Sequence, residues 1–217
     1  MERHSDETAP VAYGIIAARI NSSRLHGKIL KPIDGKPMIQ FQYERIKQAK
    51  TLAEVRVIVP EEDVIPIFTA CANKIQLAGG AAYDVLDRFE KCRPTSIDTD
   101  VLVKFTDDSP LIDSKHIDNI VSKFLQDKAD FGFLSKFPYG LRFNMCRVGA
   151  LKKLVQNISK EDRAIWNQID ETWVWYKYGF KMRNYEAPFD FSEISFEVNW
   201  KEDLEKIRSV VLGEGDL

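Results

Sequence analysis

Val11-Ala12-Tyr13-Gly14-Ile15-Ile16-Ala17-Ala18-Arg19-Ile20-Asn21-Ser22-Ser23-Arg24-Leu25-His26-Gly27-Lys28 is the stretch on which the reading of this chain turns. Its first eight residues form an apolar run too short for a helix, the pattern of a central strand buried on both faces. The run stops at Arg19. The loop from Arg19 to Gly35 then carries Arg19, Arg24, Lys28 and Lys31 besides His26. Arg19, Arg24 and Lys28 lie close to the hydroxyls of Ser22 and Ser23 and to Gly27, a combination that suits a triphosphate. Cations neutralise it, hydroxyls and backbone N–H groups bond its oxygens, and a glycine lets the backbone approach. A solvated basic loop is the competing reading of the same composition.

Working outward, Pro37 opens a stretch with Met38, Ile39, Phe41, Ile46 and Ala49 at helical spacing. Residues 54–60 predict a second strand, and 63–73 a helix with Asp63 as its N-cap. The alternation continues with a strand near 75–77, a helix over 84–92, a strand over 100–105, a helix over 114–125 and a strand near 131–134. Beyond it the pattern predicts strands over 141–145, 181–186 and 194–198, with helices over 148–157, 161–178 and 201–211. Strands alternating with helices imply an α/β fold with a mostly parallel central sheet and helices on both faces. A length of 217 residues suits a single domain over 1–217, with a smaller excursion at about 137–190 that covers an acceptor or makes a dimer contact.

Composition narrows the partners. With 44% hydrophobic and 29% charged residues the chain is an ordinary globular protein. A net charge of -2 gives no general attraction to nucleic acid or to an anionic bilayer, so an anionic ligand must be held locally. No apolar run approaches the roughly 20 residues that span a membrane, and the polar, acidic start is unlike a signal peptide; the expected location is cytoplasmic. Cys71, Cys92 and Cys146 lack metal-type spacing and read as structural thiols, and the dispersed histidines make a histidine metal site an unsuitable reading.

In an open parallel sheet, ligands sit beyond the carboxyl ends of the strands. The loops after Ala18, after Phe105 and before Asp84 are therefore expected to converge. The second of these, Thr106-Asp107-Asp108-Ser109-Pro110, puts two adjacent carboxylates directly after a buried strand. Mg²⁺ bound to phosphates takes one or two carboxylates and keeps several waters, which this pair could supply. Turn chemistry before Pro110 is the plainer alternative.

Four ordered motifs now stand together: Ala18 to Lys28, Gly35-Lys36-Pro37, Asp84 to Phe89, and Asp108 to Asp113. In this order they resemble the cytidylyltransferases that activate acidic sugars, of the spore-coat polysaccharide biosynthesis type, with the Kdo and acylneuraminate cytidylyltransferases more distant. The resemblance covers roughly the first 125 residues and returns over 196–208. It implies a Rossmann-like nucleotidyltransferase fold, the nucleotide-diphospho-sugar transferase type. It also implies Mg²⁺-dependent transfer of CMP from CTP to a sugar acid or related acceptor, with pyrophosphate leaving, in surface polysaccharide or glycan biosynthesis by a homodimer. By position, Arg19, Ser22, Arg24 and Lys28 would hold the triphosphate, Asp87 and Arg88 would sit near the nucleotide, and Asp108 would bind the metal. Arg19, Lys28 and Asp108 are the expected catalytic residues.

The chain also departs from the family pattern. Asp107 stands where relatives have glycine, Lys104 where arginine is commoner, Arg142 where aspartate is frequent, and His26 where proline is usual. Asn199 replaces the aspartate that is the second metal ligand in relatives. Asp107, Asp108 and Asn199 are thus the candidate metal residues. Two other readings follow from the departures: a catalytically drifted nucleotide-binding regulatory or scaffolding protein on the same fold, and a sugar-nucleotide-dependent glycosyltransferase. Trp166, Trp173, Trp175 and Trp200 read as core or interface anchors.

Overall fold

The structure is a computed structural model and describes residues 9–165 and 172–213. Its elements follow the predicted alternation. Strand β1 (Ala12–Ala17) leads through a two-residue hairpin, β2 (Pro32–Ile33) and β3 (Lys36–Pro37), into helix α1 (Met38–Ile46). Asp34 and Gly35 make that hairpin turn with φ of 47° and 71°, the doubly left-handed geometry that favours an Asp-Gly pair. Then come β4 (Leu52–Pro60), α2 (Val64–Ala70), β5 (Leu77–Gly80), α3 (Val85–Cys92), β6 (Val101–Thr106) and α4 (Ser114–Gln126). The second half adds β7 (Phe131–Ser135), β8 (Asn144–Arg147), α5 (Val148–Asn157), α6 (Lys160–Ile165), α7 (Thr172–Lys177), β9 (Met182–Glu186) and α8 (Lys201–Leu212).

Among the described residues the main sheet has the order β5-β4-β1-β6-β8-β7-β9. All neighbours run parallel except at β8, which pairs antiparallel with both β6 and β7. The stretch 137–190 therefore supplies two strands, β8 and β9, to this sheet. Strand alternation divides the core into two layers. Ile16, Val57, Val59, Val101 and Val103 pack under α1, α2, α4 and α8. Ile15, Ile58, Leu102 and Phe131 pack under α3, α5 and α7, where Trp175 stacks on Phe131 with ring centroids 4.6 Å apart. Each fully buried side chain of this kind stabilises the fold by about 2 kcal/mol.

Several expectations shift. The strand expected at 194–198 is absent as a strand: Ser195 makes a single bridge to Tyr139, and Val198 N–H donates to the main-chain oxygen of Asp108 at 2.8 Å. This segment is held by loops, so no ladder forms. Asp63 precedes α2, but its carboxylate makes no cap and accepts from Ile20 N–H at 2.8 Å. Strand β8 begins three residues later than the pattern placed it, and β5 takes in Gly79 and Gly80. Trp175 is core, whereas Trp173 and Trp200 are exposed and Trp166 lies outside the described residues. Cys71, Cys92 and Cys146 are all buried and free. Burial pushes the Cys71 thiol up to about 11. No helix among the described residues is long and apolar enough to cross a membrane.

Candidate active site

The chain runs from β1 to β4 and β5 on one side, then returns through α3 to β6 on the other side of β1. That reversal is a topological switch point, where the loops beyond the strand ends leave a crevice. Register sets the details. Ala17 of β1 lies opposite Thr106 of β6, so the basic loop and the acidic loop leave the sheet side by side. Helix α1 braces the acidic turn from below: buried Gln42 donates through Nε2 to Thr106 O at 2.7 Å, and Arg45 donates to Leu111 O and Ile112 O. Ser109 Oγ, 3.1 Å from Thr106 Oγ1, donates to Asp108 Oδ1 at 3.2 Å and ties the turn together.

Lys28 enters this acidic turn from the basic loop. Its side chain is 5% exposed, and its ammonium lies 3.4 Å from Asp107 Oδ1 and 3.5 Å from Asp108 Oδ2. It also donates to Val198 O at 3.1 Å. Asp107 accepts a further bond from Arg19 N–H at 3.3 Å. Burial raises the Asp107 carboxyl above the ordinary aspartate range, Lys28 pulls it down, and adjacent Asp108 pushes it up again.

A cavity of about 420 Å³ opens above these residues. Arg19, Arg88, Lys104, Asp107 and Asp108 all line it, together with Tyr83, which is exposed. Arg88 projects from α3 and is 3% exposed, yet its Nε and Nη1 atoms are buried with no hydrogen-bond partner. Burial, then repulsion from Arg19, lowers its pKa. A buried guanidinium with unsatisfied donors costs stability unless something accepts from it, so this arrangement suits an oxygen-rich anion. Gly80 permits it, since a Cβ there would meet Arg88 Cγ at 2.9 Å.

The expected site residues separate into groups. Arg19, Arg88, Asp107 and Asp108 share the cavity, and Lys28 reaches the two acids. Arg24 is exposed and Ser22 half-buried on the outer limb of the loop, away from the cavity lining. Asp87 faces outward, pairing with Lys91 at 2.9 Å and with Arg163 at 3.9 Å. The motif acids Asp84 and Asp113 cap α3 and α4. Gly27 adopts φ 63°, and a Cβ there would meet open space, so the left-handed backbone is what calls for glycine. Arg142 lies over the Tyr139 ring at 3.9 Å and donates through Nε to Phe137 O. Asn199 donates through Nδ2 to Glu197 Oε2 at 3.1 Å, while its Oδ1 is buried without a partner.

Glu197 and Gln42 escaped the sequence reading, and Asp63 was read only as a helix cap. Glu197 precedes Val198, whose N–H donates to Asp108 O and whose O accepts from Lys28, and burial, then repulsion from Asp108, raise its pKa against the pull of Asn199, Lys28 and Arg24. Its only sequence signal was an acid two residues before Asn199. Gln42 gave none, and neither its bond to Thr106 nor that of Asp63 to Ile20 was signalled, because each partner is remote in the chain.

Comparison with known proteins bears on the same region. Residues 13–209 match the family model described as cytidylyltransferase, which takes in all of the elements that build the crevice. This chain belongs to the cytidylyltransferase family. The chain is 35% identical over 120 residues to the 8-amino-3,8-dideoxy-manno-octulosonate cytidylyltransferase of Shewanella piezotolerans, a match covering 54% of this chain and 49% of that one. It is 33% identical over 115 residues to the 3-deoxy-manno-octulosonate cytidylyltransferase of Geotalea daltonii, covering 53% and 45%. The chain spans about half the length of the curated relatives it matches. A cytidylyltransferase structure from Leptospira borgpetersenii superposes with a TM-score of 0.83 at 27% identity, covering 95% of this chain and 89% of that one. A CMP:2-keto-3-deoxy-manno-octonic acid synthetase solved with CTP superposes at 0.71 and 21% identity, covering 94% and 100%, a likeness of fold.

Proposed function

We propose that this member of the cytidylyltransferase family transfers CMP from CTP to a sugar acid of the 3-deoxy-manno-octulosonate class, with release of pyrophosphate. The observation that carries this reading is the charge layout at the switch point: the unsatisfied Arg88 donors and the cations Arg19 and Lys104 share one cavity with Asp107 and Asp108. The printed activities of the Shewanella and Geotalea relatives supply the substrate class.

Under this reading Arg88 donates to ligand oxygens from the cavity floor, and Arg19 and Lys104 offset the charge of the triphosphate. Ser22 and Arg24 approach from the exposed loop, and Lys28 holds the acidic turn at a fixed charge. The acceptor hydroxyl attacks the α-phosphorus; an O–P bond forms, the bond to the β-phosphate bridge breaks, and pyrophosphate departs. Mg²⁺ fits the donor set, because Asp108 offers a carboxylate and Asn199 a buried oxygen without a partner. Among the described residues no three His, Cys, Asp or Glu side chains form a ready-made metal cluster. Mg²⁺ keeps several waters and needs only one or two carboxylates. It would supply stabilisation of the charge that develops on the phosphate oxygens. We also propose a single working domain in the cytoplasm and a homodimer, with exposed Trp173 and Tyr176 beside edge strand β9 as the contact.

The test is pyrophosphate release from CTP with 3-deoxy-manno-octulosonate and its 8-amino analogue as acceptors, with and without Mg²⁺. Release that requires CTP, acceptor and metal supports the proposal. CTP binding without release for any sugar acid would favour the drifted nucleotide-binding reading, which the neutral Asn199 and the Lys28–Asp107 pair keep open.

A further inference from the structure

Sheet order divides the crevice at the acidic turn. Arg19 and Arg88, which face the nucleotide in the proposed reaction, come from the loop after β1 and from α3, the helix that follows β5, all on the β1 side of β6. Strand β8 lies on the other side of β6 and runs antiparallel to it, with Asn144 opposite Lys104. Continued by two residues, that register sets Arg142 abreast of Thr106, which lines the cavity. Pyrophosphate leaves toward the two arginines, so an acceptor hydroxyl attacking in line comes from the side of β8.

Arg142 is held in place there. Its guanidinium lies 3.9 Å from the centroid of the Tyr139 ring, and its Nε donates to Phe137 O at 2.7 Å. The loop that carries these residues is itself fastened. Leu141 O lies 3.1 Å from His116 Nε2, Tyr139 N–H donates to Ile194 O at 2.9 Å, and Phe196 N–H donates to Tyr139 O at 2.9 Å. The charge is not answered, however. Nη2 is buried with no hydrogen-bond partner, and among the described residues no carboxylate pairs with Arg142. Of the neighbouring acids, Glu186 pairs with Lys136 at 2.8 Å, Asp190 accepts from Ser192 N–H at 2.9 Å and Glu197 from Asn199 Nδ2 at 3.1 Å. A fixed, half-buried guanidinium without a counter-ion repels a second cation and favours an oxygen.

We infer that Arg142 sets the acceptor selectivity of this chain: it rejects a sugar acid that bears an ammonium group and admits one that bears a hydroxyl in its place. The two acceptors of the proposed reaction differ in this way at carbon 8, where the 8-amino compound carries a primary amine, protonated at neutral pH, instead of a hydroxyl. The inference rests on the proposed function and chooses between its two acceptors, in favour of 3-deoxy-manno-octulosonate. Specificity of this kind comes from a repulsive element built against the wrong ligand as much as from contacts to the right one.

The readout is the ratio of kcat/KM for pyrophosphate release with the two acceptors, measured on the full chain with CTP and Mg²⁺ for the parent, Arg142→Lys, Arg142→Gln and Arg142→Asp. The parent should favour 3-deoxy-manno-octulosonate over its 8-amino analogue by at least about fivefold, the scale of a like-charge juxtaposition in a partly solvated site. Arg142→Lys keeps the charge and should keep the preference, Arg142→Gln should reduce it, and Arg142→Asp should invert it. Circular dichroism and thermal unfolding check that each variant folds. One measurement needs no variant: the parent's preference should shrink as pH rises and the amine of the acceptor loses its proton. A parent preference below fivefold overturns the inference, and so does a ratio that Arg142→Gln leaves unchanged or that holds through alkaline pH. Release with both acceptors at equal efficiency sinks the role of Arg142 alone, whereas release with neither sinks the proposed function and this inference with it.

Discussion

Lys28 and Asp107 form an ion pair at 3.4 Å in which the lysine side chain is 5% and the aspartate 15% exposed. Removing one member of so buried a pair leaves an uncompensated charge. Lys28→Met should therefore destabilise the protein by roughly 3 kcal/mol, measured by urea unfolding. Adding Asp107→Gly to that variant should restore part of the loss. Additive effects of the two changes would mean that the pair is not coupled.

Arg88 is buried with two unsatisfied nitrogen atoms and so sets binding against stability. Arg88→Leu should stabilise the ligand-free protein by about 1 to 3 kcal/mol, the cost of a buried unpaired group. The same change should weaken CTP binding at least tenfold, since charge-assisted bonds are lost (roughly 1.5 kcal/mol or more). Thermal unfolding with and without CTP reads both effects. Unchanged CTP binding would remove Arg88 from the site.

Gly140 lies at φ 85°, and a Cβ there would meet the backbone of Phe196 and Glu197 at 2.8 and 3.0 Å. Gly140→Ala should cost about 1 to 3 kcal/mol, from strain at the left-handed position and from displacing that backbone. Gly179→Ala, at φ 73° with open space around the added Cβ, is the control: it carries the strain without the collision and should cost less; an equal loss in both would mean that the contact with residues 196 and 197 contributes nothing.

Asn199→Asp would set a second carboxylate against Glu197 in place of the 3.1 Å bond. The metal-free protein should lose about 1 kcal/mol of stability through like-charge repulsion. Saturating Mg²⁺ should then raise its unfolding temperature by more than it raises the parent's, because the added charge strengthens the bound state. An equal Mg²⁺ shift in both proteins would mean that position 199 faces away from the cation.

Asp162 accepts from Lys177 Nζ and from Tyr178 Oη, both at 2.7 Å, tying α6 to α7. The hydrogen bonds from Lys177 and Tyr178 hold its carboxyl below the ordinary value of 3.8. A carboxyl with a lowered pKa in the folded state contributes stability that is present above its unfolded value and lost as pH falls through the folded one. The difference in unfolding temperature between the parent and Asp162→Asn should stay constant from neutral pH down to the region of the ordinary aspartate value, then close as pH falls further. A gap that is independent of pH in acid would show that the ionised form of Asp162 contributes nothing.

The succession of strands and helices through α5 was legible in the chain, because hydrophobic periodicity and caps such as Asp84 and Asp113 act within a few residues. From that order alone came the α/β class, the crevice beyond β1 and β6, and the meeting of a basic loop with an acidic one. What the tertiary structure decided is which charge meets which. Lys28, read as a triphosphate ligand, reaches Asp107 and Asp108; Asp63, read as a cap, bonds Ile20; Asp87 turns outward to Lys91 while its neighbour Arg88 turns in. Segment 194–198, read as a strand, brings Val198 to Asp108 and Lys28 without joining the sheet. Patterns in a sequence report local preference and the buried face of each element, whereas ion pairing depends on distance through space, and only sheet order and register set those distances.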